Sequence, residues 1–145
     1  MAPEVRLRKV RPADLAIIFE HGQDPEAVAL ADVPPRDAAA FRAHWDRMLA
    51  DESVLTRTIL ADGVVAGHAL SFERDGRRLV GYWLGREQWA RGIASRALPA
   101  LLQLLPQRPL HATVAEHNAA SLRVLQKAGF EVCGRDAGGL VLRLG

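Results

Sequence analysis

The sequence is short of several residue types, and each shortage closes off a class of function. Cys133 is the only cysteine. A single thiol forms no internal disulfide and matches no metal or redox spacing, which fits a reducing, cytoplasmic compartment. Only two lysines, Lys9 and Lys127, stand among 19 basic residues, and 17 acidic residues bring the net charge to +2. That balance, with three Trp and one Tyr at core-like spacing, argues against a nucleic-acid module, which needs a basic face with exposed aromatics. The arginine excess and the many alanines fit a GC-rich bacterial genome. No apolar run approaches the ~18 residues of a membrane span, and the opening Met-Ala-Pro-Glu-Val-Arg lacks the apolar core of a signal peptide, so neither membrane nor export is expected. The five histidines show no zincin-like or other metal spacing, so no metal is expected.

What remains is an ordinary globular make-up, 49% apolar and 25% charged, enough for one domain over residues 1–145. Val5 and Leu7 alternating with Arg6 and Arg8 predict a half-buried first strand over 5–10. Pro12 and Asp14 open a helix with Leu15, Ile18 and Phe19 as its apolar stripe and Gly22 as its end. Residues 23–35 read as irregular, and whether 26–31 makes a helical turn stays open. Asp37 caps a helix over 38–49, with Phe41, Trp45 and Met48 or Leu49 recurring as core. Strands over 53–61, 64–72 and 78–84, joined by Asp62-Gly63 and Arg74-Asp75-Gly76-Arg77, make an antiparallel meander. The next helix runs from Gly92 to about Leu105, and Pro99 inside it predicts a kink. A strand over 110–114 follows, expected to lie parallel to the meander's last strand because a helix separates the two. Asn118 precedes a helix over 119–128 that Gly129 stops, and strands over 130–135 and 140–144 close the chain.

One stretch organises the rest. Leu79 to Leu84 is a short apolar run ending at Gly85; after the polar Arg86-Glu87-Gln88 comes Trp89-Ala90-Arg91-Gly92-Ile93-Ala94, which opens the long helix. A strand, a tight turn and a helix start leave backbone amides unpaired at the positive end of the helix dipole, where an anion is favoured. Gly92 and Ala94 supply the small side chains that let a phosphate reach the backbone. An ordinary strand-to-helix turn that binds nothing has the same outline.

Two motifs in this order of elements carry a resemblance: Trp89-Ala90-Arg91-Gly92-Ile93-Ala94, and Asn118-x-x-Ser121 followed by Lys127-x-Gly129-Phe130. With them the chain resembles the GNAT superfamily of N-acetyltransferases. Gly81-Tyr82-Trp83 on the fourth strand and Trp89 in the loop make it similar, within that superfamily, to the branch that acetylates ribosomal-protein N-termini and to its small-molecule-modifying relatives. The implied fold is α/β (α+β): a mixed, mostly antiparallel, twisted sheet of about seven strands, flanked by about four helices, with splayed central strands.

The implied activity is transfer of an acetyl group from acetyl-CoA to a primary amine, on a protein N-terminus or a small molecule, by direct attack through a tetrahedral intermediate. The resemblance places the CoA pyrophosphate on the amides of Trp89, Ala90, Arg91, Gly92, Ile93 and Ala94, with Ser95 close by and Arg91 adding charge. It places the pantetheine arm between the fourth and fifth strands, against Trp83, Leu84 and Gly85, with Asn118 and Ser121 across from them. Unpaired strand amides can bond that arm. It also implies an oxyanion donor among the backbone amides of Tyr82, Trp83 and Leu84. Ser121 is the implied proton donor to the leaving thiolate, though a serine there can equally bond its own helix backbone. Many relatives use a Tyr four residues further on; here that position is Leu125.

The base that deprotonates the amine has five candidates, Glu87, His68, Glu73, His111 and Glu116, of which Glu116 follows the fifth strand toward the cleft; deprotonation through an ordered water is the other route. The acceptor side is expected from the first two helices, the loop over 22–37 with Asp24, Glu26 and Asp32, and the last hairpin. A monomer or homodimer is expected. The alternative function is a non-catalytic acyl-CoA-binding sensor or scaffold of the same fold.

Overall fold

The two-residue turns Asp62-Gly63 and Asp75-Gly76 carry positive φ at both positions, 50° and 79°, 54° and 76°. This backbone twist matches that of the strands it joins and closes tight antiparallel hairpins. They organise the middle of the chain. The computed structural model describes residues 2–145. Its elements are β1 (Val5–Arg8), α1 (Pro12–His21), α2 (Pro25–Ala31), α3 (Ala38–Ala50), β2 (Leu55–Ala61), β3 (Val64–Arg74), β4 (Arg77–Leu84), α4 (Ile93–Gln103), β5 (Leu110–Val114), α5 (Ala119–Lys127), β6 (Glu131–Asp136) and β7 (Gly139–Leu144). A 3₁₀ turn, Arg86–Gln88, leads from β4 towards α4. The strands form one sheet in the order β1-β2-β3-β4-β5-β7-β6, in which only β4 and β5 run parallel.

This is the expected seven-stranded, mostly antiparallel sheet, with five α-helices in place of about four. The extra one is α2. Asp24 accepts the amides of Glu26 and Ala27 at 2.9 and 3.2 Å, and Pro25 occupies the first helical position, so its start signals were present in the sequence. β2 begins at Leu55 and not at 53, because the Ser53 amide and hydroxyl both bond the Asp51 carboxylate in a local turn. α4 continues through Pro99. Pro99 is exposed, so the Ser95 carbonyl it leaves without a donor lies within reach of water.

The main core lies between the sheet and α4 and α5. Ile93, Ala97, Leu98 and Leu101 of α4 pack with Ile59, Ala69, Val80, Leu110 and Leu142 of the sheet, and Leu125 and Phe130 extend the cluster. A second cluster, Leu15, Ile18 and Trp45 with Phe41 and Met48, joins α1 to α3. One buried carboxylate ties α1 to the sheet. Asp14 accepts two bonds from the Arg8 guanidinium at 2.7 and 2.9 Å, one from the Thr58 hydroxyl at 2.7 Å and one from the Arg11 amide at 2.8 Å.

β4 pairs along its whole length with β3, from Arg77 to Leu84. With β5 it shares a single residue pair, Leu79 with His111. Beyond that point the two strands part, and residues 80–84 have no strand partner on that side.

Arg8, ahead of the Arg11 amide and Thr58, holds the Asp14 carboxyl down from 3.8 to about 2. A depressed carboxyl contributes stability that is present above the unfolded pKa and lost as pH falls through the folded one. The protein should therefore lose about 2 kcal/mol between pH 4 and pH 2 from this group. Asp14→Ala should cost about 3 kcal/mol at pH 7 by stranding Arg8 and Thr58. Urea denaturation of both proteins from pH 7 down to pH 2 checks both values.

Candidate active site

The parting of β4 and β5 opens onto a cavity of ≈ 700 Å³. Tyr82, Trp83 and Leu84 of β4 form one wall, and Asn118, Ser121 and Val124 of the α5 region face them. Trp89, Ala90, Gly92, Ile93, Ala94 and Ser95 form its end, and Ala27, Leu30 and Ala31 of α2 cover it.

The loop end is built to receive an anion. Ala90 and Gly92 both sit in the left-handed region, at φ 59° and 75°. Glycine adopts that conformation freely, whereas alanine there costs roughly 1–2 kcal/mol, strain of a kind that collects at functional sites. Left-handed residues alternating with ordinary ones turn successive amides towards one concavity. None of the amides of residues 90–95 bonds an acceptor among the described residues, and α4 has no side-chain cap. Elsewhere Asp24, Asp37 and Asn118 cap α2, α3 and α5, and at α1 the Asp14 carboxylate, inside the first turn, accepts the Arg11 amide. A Cβ built on Gly92 meets nothing within 4 Å, so the space before these amides is open. Arg123 and Lys127 of α5 also line the cavity, and no carboxylate does. Unpaired amides at a positive helix end beside two cations suit a polyphosphate.

Two indoles hold this geometry. The Trp89 indole N–H donates to the Leu84 carbonyl at 3.2 Å, folding the loop back onto the strand end. The Trp83 indole N–H donates to the His21 carbonyl at 3.1 Å. Because the Leu84 carbonyl points away from β3, strand alternation turns the backbone N–H and C=O of Tyr82 the same way, into the gap. At the gap the Tyr82 hydroxyl and Ser121 Oγ lie 3.0 Å apart, and burial pushes the phenol above its ordinary pKa. Asn118 Oδ1 accepts the Ser121 amide at 3.3 Å, capping α5.

Three residues expected at the site lie off the cavity wall: Gly85, Arg91 and Glu116. The Gly85 amide donates to the Ala66 carbonyl, and a Cβ there would meet the His21 ring at 2.5 Å, so Gly85 is a packing glycine. The Arg91 guanidinium bonds the side chain of Gln88. Glu116, exposed, pairs with Arg135 at 2.9 Å. Of the loop acids, Asp24 and Glu26 both pair with Arg86, at 3.0 and 3.1 Å, and none of Asp24, Glu26 and Asp32 lines the cavity. No residue of the last hairpin lines the cavity.

None of the five base candidates lines it either. Glu73 is exposed near the far end of β3. Glu87 is exposed, 4.0 Å from His21 Nε2. His111 is buried where β4 and β5 meet. His68 stacks edge-on against Trp45, ring centroids 5.3 Å apart, and burial, reinforced by His21 and His44, pushes it down to about 4. The expected segment 22–37 does reach the cavity, through Ala27, Leu30 and Ala31 of α2 and not through its acids, while Gln88 and the α5 stripe of Ala120, Arg123, Val124 and Lys127 were missed. Counting three and four residues on from Ser121 or Ala120 would have found part of that stripe.

The acetyltransferase (GNAT) domain family model matches residues 4–131. In sequence the chain is similar to the uncharacterized N-acetyltransferase p20 of Bacillus licheniformis, with 25% identity, covering 86% of this chain and 78% of that one. In structure it is similar to a domain from Methanocaldococcus jannaschii, with TM-score 0.86 and 15% identity over 98% of both chains. It is similar to the aminoglycoside acetyltransferase AAC(6')-Ib in complex with coenzyme A, with TM-score 0.79 and 24% identity over 97% of this chain and 92% of that one. It is also similar to the spermidine N-acetyltransferase of Vibrio cholerae in complex with CoA and spermine, with TM-score 0.81 and 15% identity over 96% and 92%. At these identities the structural likenesses establish the fold.

His68 should stay uncharged at pH 6, which side-chain NMR titration reads directly. Its folded pKa lies below the unfolded 6.5, so the stability it contributes is present above pH 6.5 and lost as pH falls towards 4. A chemical-denaturation midpoint that falls between pH 7 and pH 5, and falls less in His68→Phe, is the expected result.

Proposed function

The chain belongs to the acetyltransferase (GNAT) domain family, and from that premise we propose how its residues move an acetyl group from acetyl-CoA to a primary amine. The observation that carries the reading is the start of α4: a run of unpaired amides, open at Gly92, in a cavity that Arg123 and Lys127 also line, beside a gap that exposes strand backbone. In this reading the amides of residues 90–95 hold the pyrophosphate and the edge of β4 holds the pantetheine arm, with Asn118 shaping the turn opposite. Acetyl-CoA supplies an activated thioester carbonyl and a thiolate leaving group. The Tyr82 backbone N–H, turned into the gap, supplies a fixed donor where negative charge develops on the carbonyl oxygen. Ser121 supplies the proton the departing sulfur takes up. The acceptor amine gives up its own proton to water, since no carboxylate or imidazole lines the cavity.

The acceptor is a primary amine, on a small molecule or a protein N-terminus. The structural relatives named above include enzymes of aminoglycosides and spermidine, and Gly81-Tyr82-Trp83 with Trp89 supports the ribosomal-protein N-terminal branch. Asp24 and Glu26 share the single guanidinium of Arg86, so the α2 loop keeps net negative charge that can draw a cationic amine. We place the protein in a bacterial cytoplasm, as a monomer or homodimer; the free, exposed Cys133 thiol suits a reducing compartment.

Thiol release from acetyl-CoA, measured with peptides bearing free N-termini, a polyamine, an aminoglycoside and simple amines, tests the reading. Turnover with at least one acceptor is expected. Binding of acetyl-CoA without turnover of any would favour an acyl-CoA sensor. Gly92→Glu, which places an opposing charge before the free amides, should weaken acetyl-CoA binding at least 100-fold by calorimetry while the protein stays folded. Unchanged affinity in that variant would sink the phosphate-loop assignment.

A further inference from the structure

Ser121 lies in the first turn of α5, where a serine hydroxyl commonly bonds a backbone carbonyl of its own helix or loop. Here its Oγ has one partner among the described residues, the Tyr82 hydroxyl at 3.0 Å, reaching across the gap from β4. Both side chains line the main cavity. Both also line a smaller one, ≈ 70 Å³, that enters the gap between β4 and β5 beside Gly81, Thr113 and Leu125. That is room for a water, which needs roughly 10–15 Å³ of such volume and a few polar neighbours; Thr113, Ser121 and Tyr82 offer hydroxyls.

We propose that Tyr82 and Ser121 form a two-hydroxyl proton relay in which Tyr82, a positioning residue, donates to Ser121 Oγ and so leaves the Ser121 proton free for the departing sulfur. The proposal rests on the acetyltransferase reading. As the new C–N bond forms and the C–S bond breaks, the electron pair of the C–S bond stays on sulfur. Ser121 gives that sulfur its hydroxyl proton and takes the phenolic proton of Tyr82 in return. The proton that the amine nitrogen sheds passes to water, and water in the smaller cavity returns one to the phenolate. Atoms and charge balance, and no further reactant is needed.

Tyr82 is the only tyrosine in the chain, so every tyrosine signal reports on it. Phenolate absorbance of the free protein should therefore give one titration, above the ~10 of an exposed tyrosine. Ser121→Ala should move it higher, because the serine hydroxyl can stabilise the phenolate. An identical titration in that variant would show that the two hydroxyls are not bonded and would overturn the proposal without reference to activity. In turnover, Tyr82→Phe and Ser121→Ala should each lower kcat at least tenfold, with affinity for acetyl-CoA within twofold of the parent. The double variant should be no slower than the slower single one, as for residues acting as a unit. Losses that multiply would mean independent roles. If Tyr82→Phe does not fold, replacing tyrosine with 3-fluorotyrosine changes this one phenol and keeps its shape. The alkaline limb of kcat should then move down in pH with the phenol's own pKa, and an unmoved limb would overturn the relay. Failure of the parent reading looks different: the unaltered protein would release no thiol with any amine.

Discussion

The chain depends on the meeting of β4 and β5 at a single residue pair, Leu79 with His111. A parallel pair normally zips along its length, and leaving strand backbone unpaired carries a cost. Here the cost is borne because each strand is secured on its other side, β4 by eight register pairs with β3 and β5 by five with β7. The gap therefore opens between two well-held edges and does not fray. The cavity, the exposed Tyr82 backbone and the approach of Tyr82 to Ser121 all exist because these strands part.

The start of α4 is the complementary device. Every other helix spends a side chain on its own N-terminus, and α4 spends none. Its free amides are held in place by apolar anchoring, with Ile93 and Ala97 buried to about 1% exposure, and by the Trp89 indole fastened to Leu84. Rigidity thus comes from the core while hydrogen-bonding capacity stays free for a ligand. The mouth shows the reverse arrangement. Arg86 pairs with both Asp24 and Glu26, Arg135 pairs with Glu116, and burial lowers the pKa of His21 and His68. No carboxylate or imidazole lines the cavity, whose polar side chains are hydroxyls, amides, indoles and the two cations of α5.

Much of this was legible before any coordinates. The hairpin turns announce themselves because Asp-Gly accepts the positive φ that such turns require. The α1 and α3 stripes follow from helical spacing, and the anion end follows from a tight turn carrying Gly92 ahead of a long helix. Asp24 and Pro25 mark the start of α2, but its seven residues give too short a period to tell a helix from a turn by sequence.

By itself, the sequence determined local geometry: which segments are helix or strand, where turns fall, and where a strand–turn–helix junction can present amides to an anion. These are properties of neighbours a few residues apart. Only the tertiary structure decided which distant side chains meet. It brought Tyr82 to Ser121 across 39 residues, took Glu116 to Arg135, and enclosed His68 against Trp45. It also laid α2 over the cavity. The physical reason is that hydrogen bonding, ion pairing and desolvation act through space within a few ångströms, and strand register and helix packing, not chain order, set those distances.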